Sequence, residues 1–313
     1  MKILLTGAKG FTGRHLAARA RAAGQRVQAL DVDLCEKDTV RAAVAAADFD
    51  VVIHLAAMSF VGHANAAAFY AVNVVGTGNL LEALARRPTP PQRVILASSA
   101  NIYGNCDVSP IGEDQPPAPV NHYALSKLSM EYLSRIYADR LPILLSRPFN
   151  YTGPSQAPQF VIPKLVQHFA SRATCVELGN VQVEREFNDV RMVCDAYLAL
   201  ATGGEVGGVY NICSGRPYTL QQVIDLLQEL TGHHLKIQIN PQFIRANEVK
   251  RLYGNPSRLR AVCARAGCSL AAPELRATLL WMLHDEKGVP EQRGRVDEGS
   301  FLPPPPTDPD VPF

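Results

Sequence analysis

The chain is short of net charge: 31 Lys and Arg stand against 29 Asp and Glu, a difference of +2 over 313 residues. A molecule so balanced offers no overall field to nucleic acid or to an anionic membrane surface, and any cation cluster must be local. It also lacks an apolar run long enough to cross a bilayer. Cysteine occurs at Cys35, Cys106, Cys175, Cys194, Cys213, Cys263 and Cys268, never as a Cys-x-x-Cys pair. That spacing excludes the usual zinc and redox motifs, so no metal and buried reduced thiols are expected. No internal repeat of fixed period is present. The opening Met1-Lys2-Ile3-Leu4-Leu5-Thr6-Gly7 turns at a glycine before a signal-peptide hydrophobic region can form, and a cytoplasmic protein is expected. What the sequence does have is 47% hydrophobic residues with 19% charged, which excludes a disordered chain and suffices for one composite body or two fused lobes.

The first half alternates short apolar runs with longer Ala- and Leu-rich stretches. Strands are predicted at Lys2–Thr6, Arg26–Leu30, Val51–His54, Arg93–Ala97 and over 142–147, and helices over 17–23, 66–87 and 123–138. A parallel sheet covered on both faces requires this alternation, so the fold class is α/β, a Rossmann-type doubly wound parallel sheet. From Pro148 onward Pro and Gly become frequent, and short strands at Val209–Ile212 and Lys236–Ile239 interleave with a helix over 220–230. This change predicts a smaller, interleaved C-terminal substrate-binding lobe. The expected division is a dinucleotide-binding part over 1–147 that also receives later segments, a substrate lobe over 148–287, and a proline-rich tail over 288–313. Polyproline such as Pro303-Pro304-Pro305-Pro306 neither pairs in a sheet nor continues a helix, so an extended tail is expected.

After the first predicted strand comes Gly7-Ala8-Lys9-Gly10-Phe11-Thr12-Gly13, leading into a helix that begins near Arg14. Glycines let the backbone approach a pyrophosphate, and a helix N-terminus supplies unpaired N–H groups and a positive dipole end. The competing role is tight helix–strand packing. The second strand ends in Asp31-Val32-Asp33-Leu34, where Asp31 suits a ribose and Asp33 an adenine, against a plain N-cap or solvated loop. Asp31 on the ribose disfavours a 2′-phosphate, whereas Lys9, Arg14 and Arg26 are near enough in sequence to compensate. Leu55-Ala56-Ala57 follows the third strand with small residues that admit a cofactor against the backbone, and His54 reads as a structural strand-end histidine.

Tyr123 and Lys127 lie four apart on a predicted helix and therefore share a face. An ammonium beside a phenol lowers its pKa and makes it a usable acid and base. Ser98-Ser99 stands at the end of the fourth strand, where open α/β sheets place their ligand crevice, so that Ser99 reaches a substrate oxygen beside Tyr123. Tyr103 is assigned to packing.

The order of these motifs, with Asn73-Val74-Val75-Gly76-Thr77 among them, resembles the extended short-chain dehydrogenase/reductases that act on nucleotide sugars, over roughly residues 1 to 285. The resemblance implies an NAD(P)H-dependent enzyme with Tyr123 as acid/base, Lys127 on the nicotinamide ribose and Ser99 on the sugar. It implies a cofactor held by Gly7, Gly10, Phe11, Thr12, Gly13, Asp31, Asp33, Leu34, Leu55, Ala56, Ala57, Asn73, Ser98, Tyr123, Lys127 and Pro148, with NADH against NADPH left open. For Asn73 the competing role is a buried polar residue that satisfies nearby backbone. The 4,6-dehydratase branch carries Asp-Glu after the active hydroxyl residue; Ala100 and Asn101 stand here, which argues against elimination of water.

In the second half, Arg147-Pro148-Phe149-Asn150-Tyr151-Thr152-Gly153-Pro154, Leu178-Gly179-Asn180, Arg185-Glu186-Phe187 and Arg251-Leu252-Tyr253-Gly254-Asn255 are similar to the branch that handles GDP-linked 6-deoxyhexoses. That likeness implies reduction of the C4 ketone of a GDP-4-keto-6-deoxy-hexose, with substrate contacts at Ser99, Asn150, Val161, Lys164, Asn180, Arg185 and Arg251. Lys164, Arg185 and Arg251 are expected to act as a set on the diphosphate. The rivals are a nucleotide-sugar 4-epimerase and a non-catalytic dinucleotide-sensing regulator. A homodimer, paired through the helices over 66–87 and 123–138, is the expected assembly, with neither nucleic acid nor membrane as partner.

Overall fold

The runs Ile3-Leu4-Leu5, Val51-Val52-Ile53 and Val94-Ile95-Leu96 are at most 1% exposed, because each lies in a strand covered on both faces. In the computed structural model, which describes residues 1–59, 65–243 and 249–288, they belong to β1 (Lys2–Thr6), β3 (Val51–His54) and β4 (Arg93–Ala97). With β2 (Arg26–Leu30), β5 (Ile143–Pro148) and a late strand, β10 (Val209–Ile212), they form one six-stranded sheet of order β10-β5-β4-β3-β1-β2, every pair parallel. β2 forms the edge, and its residues are mostly exposed.

Side chains alternate across the sheet, as the period of two demands. Ile3, Leu5, Val51 and Ile53 pack on α1 (Phe11–Ala22), α7 (Val190–Gly203) and α9 (Ser257–Arg265). Leu4, Val52, Val94 and Leu96 face α2 (Lys37–Ala46), α4 (Thr77–Ala85) and α5 (His122–Arg135). The chain runs from β1 outward to β2 and then back to β3 on the other side of β1. That reversal opens a crevice beyond the C-terminal ends of the strands, where Gly7, Leu55 and Ser98 emerge.

The continuous helix expected over 66–87 is interrupted. α3 (Ala66–Tyr70) passes into a π-helical turn, Ala71–Gly76, before α4. Thr77 Oγ1 donates to the Asn73 carbonyl at 2.8 Å, a side-chain competitor for the helical ladder. A Cβ on Gly76 would stand 3.0 Å from the Leu34 Cβ, so the glycine admits a close approach to that residue. The first helix begins earlier than expected, at Phe11.

Beyond β5 the chain makes β6 (Tyr151–Thr152), α6 (Val161–Ala170), β7 (Cys175–Leu178), β8 (Glu184–Arg185) and β9 (Asn188–Asp189) before α7 returns to the main sheet. β11 (Tyr218–Thr219), α8 (Leu220–Thr231), β12 (Lys236–Ile239), β13 (Arg251–Leu252) and α10 (Leu275–Gly288) complete the order. A separate apolar cluster joins Leu165 and Phe169 of α6, Val223 and Leu227 of α8 and Leu279 and Met282 of α10. The expected proline-rich tail lies outside the described residues. Among those described, no helix is long and apolar enough to cross a membrane, and no cluster of His, Cys, Asp and Glu fits a metal ion.

Candidate active site

The glycine turn is built by close backbone approach. Gly7 adopts φ +68°, and a Cβ on it would lie 2.7 Å from the Ala56 N; a Cβ on Gly13 would lie 2.1 Å from the Gly7 O. Leu55 and Ala56 thus sit directly against the turn, with Ala56 N donating to Thr6 Oγ1 at 3.1 Å. Gly10 caps α1 without a side-chain hydrogen bond, so the first-turn N–H groups of a twelve-residue helix are presented to an anion. At the end of β4, the Ser98 Oγ is buried with no hydrogen-bond partner among the described residues. An uncapped helix start and an orphaned hydroxyl, both at the sheet's crevice, fit a dinucleotide.

Just past β2, Asp31 is paired with Lys9 Nζ at 2.5 Å. Of the three cations expected near it, Lys9 is the one brought to Asp31. Arg14 donates to Lys9 O and Ser155 O, and Arg26 starts β2 at the opposite end of the strand. Asp33 accepts from Cys35 N at 2.8 Å, an Asx-type turn. The Leu34 side chain is buried in the core, and its carbonyl accepts from Asn79 Nδ2 at 2.8 Å.

Tyr123, Lys127 and Ser99 come together. Asn121 caps α5 by accepting from Ala124 N at 2.8 Å, and this fixes where the helix, and with it Tyr123, begins. Ser99 stands near enough to the Tyr123 phenol to act against the rise in its pKa. Ser99 Oγ accepts from Asn101 N at 3.2 Å and Asn101 Nδ2 at 3.1 Å. Lys127 Nζ donates to Ala97 O at 2.7 Å.

One electrostatic expectation is corrected: the Tyr123 pKa is raised, because burial of the phenol outweighs the opposing influence of Ser99. The lysine takes the strand carbonyl, and it is the ammonium that burial pulls down, to about 8. His54 is structural as expected. Its ring nitrogens meet Thr6 Oγ1 at 2.7 Å and Thr77 Oγ1 at 2.9 Å, and burial with the nearby Lys127 drops it to about 3.

Asn73 is fully engaged: Oδ1 accepts from Met58 N at 2.9 Å, and Nδ2 donates to Met58 O at 3.1 Å and Ser126 Oγ at 3.0 Å. Its competing, backbone-satisfying role is therefore the observed one, and it fixes the segment just past Leu55-Ala56-Ala57 to α5. Thr12 Oγ1 meets Tyr151 Oη at 2.7 Å, and the Tyr151 ring stacks on Phe11. Tyr151, which directly follows Asn150 and was given no role from the sequence, thus ties the glycine helix to the segment after β5. Pro148 ends β5 beside Ile212 of β10.

The three expected substrate cations are not brought together as one set. Arg251 faces Glu184 across β13 and β8 and is ion-paired with it, while Arg185 is the next residue along β8 and so leaves the opposite face. Arg185 Nη1 donates to Glu184 O at 2.8 Å, and Nη2 to Val249 O. Lys164 lies on α6, where Nζ donates to Glu177 O at 2.8 Å and sits 5.0 Å from the Phe243 ring centroid. Arg251 lines a cavity of about 350 Å³ with Glu184, Lys250, Gln182, Asp107 and Ser109. The set expectation failed because residue type does not reveal Glu184 as the partner opposite Arg251. Asn180 accepts from Gln182 N at 2.9 Å, Val161 opens α6 against the third cluster, and Asn150 is exposed with its carbonyl taking Asn188 N at 2.9 Å.

A doubly wound parallel sheet, an uncapped helix behind a glycine turn and a buried Ser-Tyr-Lys grouping at a strand end define an extended short-chain oxidoreductase that uses NAD(P). The chain belongs to the NAD dependent epimerase/dehydratase family, whose pattern matches residues 3–213. It is similar to the GDP-6-deoxy-D-talose 4-dehydrogenase of Aggregatibacter actinomycetemcomitans, 34% identical over 83% of this chain and 90% of that one. It is also similar to the GDP-6-deoxy-D-mannose reductase of Pseudomonas aeruginosa, 36% identical over 82% and 89%. Among solved structures, that of RMD from Pseudomonas aeruginosa complexed with NADPH superposes with a TM-score of 0.81 at 34% identity, covering 91% of this chain and 97% of that one.

Proposed function

We propose that the protein reduces the C4 ketone of a GDP-4-keto-6-deoxy-hexose to a GDP-6-deoxy-sugar such as GDP-D-rhamnose. The observation that carries this reading is the Tyr123 phenol beside Ser99, kept protonated by burial, with Ala100 and Asn101 where elimination needs carboxyl groups. The GDP-sugar reductase and dehydrogenase relatives support the substrate class.

A nicotinamide bound in the crevice supplies the hydride. Ser99 and Tyr123 orient the ketone oxygen, and Tyr123 gives up its phenolic proton as the alkoxide forms. Lys127, an ammonium below its pKa of about 8, stabilises the phenolate left behind. Ser98 Oγ would gain a partner in a bound dinucleotide. Incubation with GDP-4-keto-6-deoxymannose and each reduced dinucleotide, followed by NMR of the sugar, tests the reading. Net oxidation of NAD(P)H with a GDP-6-deoxyhexose product is expected. Interconversion of sugars without added reductant would instead assign a 4-epimerase.

The Lys9–Asp31 pair bears on cofactor choice. Lys9 neutralises the carboxylate that otherwise repels a 2′-phosphate, so Lys9→Ala is expected to shift the ratio of kcat/KM for NADPH over NADH downward by about tenfold. An unchanged ratio removes Lys9 from that role.

The proposed assembly is a homodimer. Leu125 and Tyr132 of α5 and Ile136 at its C-cap, spaced by seven and four, are 43%, 52% and 70% exposed, and Val75 on the adjoining π-helical turn is 55% exposed. A stripe of that spacing is the face one helix offers another. Leu125→Glu with Ile136→Glu is expected to weaken association by at least about a hundredfold, read by sedimentation velocity across a concentration series. The proposed compartment is the cytoplasm, supported by seven free thiols.

A further inference from the structure

The helix that carries the acid/base pair carries a third buried group. Tyr123, Lys127 and Glu131 are spaced i, i+4 and i+8 along one face of α5, and are 8%, 3% and 3% exposed. The Glu131 carboxylate is held by both prongs of a guanidinium: Arg147 Nε donates to Oε1 at 3.0 Å and Nη2 to Oε2 at 2.8 Å.

Arg147 follows Ser146, the β5 residue that sits beside Ala97 of β4, and Ala97 O is the acceptor of Lys127 Nζ. Ammonium, carboxylate and guanidinium therefore alternate within one buried corner where α5 crosses the ends of β4 and β5. Arg147 has little freedom there, since Nη1 also donates to Tyr103 Oη and to Glu113 O, both at 3.0 Å, and Tyr103 Oη donates to Asn211 Oδ1 at 2.7 Å.

We propose that Glu131, fixed by Arg147, is a positioning residue for the reaction, its carboxylate keeping Lys127 an ammonium at the end of β4. The proposal rests on the reading of Tyr123 and Lys127 as the acid/base pair.

The groups facing Lys127 support it. Burial lowers the lysine to about 8, and Glu131 is the charge that raises it against that loss. From β3, His54 is held neutral by burial and by Lys127 itself. Tyr123 is an uncharged phenol, the π-helical turn contributes the neutral Asn73, and Arg147 on β5 is engaged by Glu131. Removing the carboxylate leaves burial unopposed, so the lysine loses its proton at lower pH. A group that must stay protonated then fails earlier as pH rises, and the alkaline limb of kcat moves downward.

The test compares wild type with Glu131→Asp, Glu131→Gln and the double variant Glu131→Gln/Arg147→Met, which leaves no lone buried guanidinium to unfold the protein. Lys127 is followed directly, without turnover, by NMR of 13Cε-lysine, and kcat is measured over the same pH range. In Glu131→Gln and the double variant both the Lys127 titration and the alkaline limb are expected to fall by about one pH unit or more, while Glu131→Asp stays near wild type. A folded Gln variant whose Lys127 titrates as in wild type overturns the proposal. A titration that moves while the kcat profile stays put leaves the hold on Lys127 in place and overturns the acid/base reading instead.

Discussion

Replacing Tyr123 by Phe is expected to lower kcat about a thousandfold while leaving dinucleotide affinity and thermal stability close to wild type. The substitution removes one hydroxyl and the proton it carries, and general acid catalysis of this kind is worth roughly 10²–10⁴ in rate. The fold loses little. The ring keeps its packing against Phe69, 6.0 Å away, and Ser99 Oγ keeps both Asn101 donors, so no buried polar atom is orphaned. Loss of the buried hydroxyl's polar interactions is expected to cost no more than about 1 kcal/mol of stability. Stopped-flow reduction of the keto-sugar, run beside fluorescence titration with the reduced dinucleotide, separates these effects. Turnover at the wild-type rate by the Phe variant would refute the assignment of Tyr123 as proton donor.

The same pair of residues shows how far the sequence carries. Spacing alone put Tyr123 and Lys127 on one face and Ser99 at a strand end, and the apolar runs placed β1 to β4 residue for residue; β1, β3 and β4, covered on both faces, leave a near-unbroken hydrophobic trace, whereas β2 is a largely exposed edge. Extending the stripe one more turn would have reached Glu131; its partner Arg147 lies sixteen positions on, and only the crossing of α5 over β5 joins them. Direction of electrostatic influence was not legible either. An i, i+4 lysine reads as a phenol's activator, yet the ammonium reaches past the phenol to Ala97 O, and burial, which spacing does not encode, governs both pKa values. The π-helical turn at Ala71–Gly76 was hidden because its residues keep a helical pattern on either side of it. Substrate contacts were the least legible, since β8 and β13 are two-residue strands whose pairing of Arg251 with Glu184 is set by register and not by residue type.

Gly13→Ala is expected to weaken dinucleotide binding by about a hundredfold or more, and the magnitude follows from which atoms a methyl group would meet. Its Cβ would stand 2.1 Å from Gly7 O, 2.7 Å from Ala8 Cα and 2.8 Å from Gly7 C, all of them backbone. No side chain can rotate away, so the turn between β1 and α1 must open by more than an ångström. Gly7 cannot absorb that movement locally. It holds φ +68°, its carbonyl accepts from Gly10 N at 3.0 Å, and it rests against Ala56. A shift of about 1 Å at the N-terminus of α1 misplaces the N–H groups proposed to meet the pyrophosphate, and misplacements of that size cost on the order of a hundredfold. Overpacking adds about 1–3 kcal/mol of destabilisation, several degrees in melting temperature. Gly24→Ala is the matching control. Gly24 also has positive φ, +73°, yet a Cβ there has nothing within 4 Å, so only the left-handed backbone cost of about 1–2 kcal/mol applies. Isothermal titration with NADH and NADPH is expected to show near wild-type affinity for the Gly24 variant and severe loss for the Gly13 variant. Equal affinities in the two would mean that the turn behind α1 does not hold the dinucleotide.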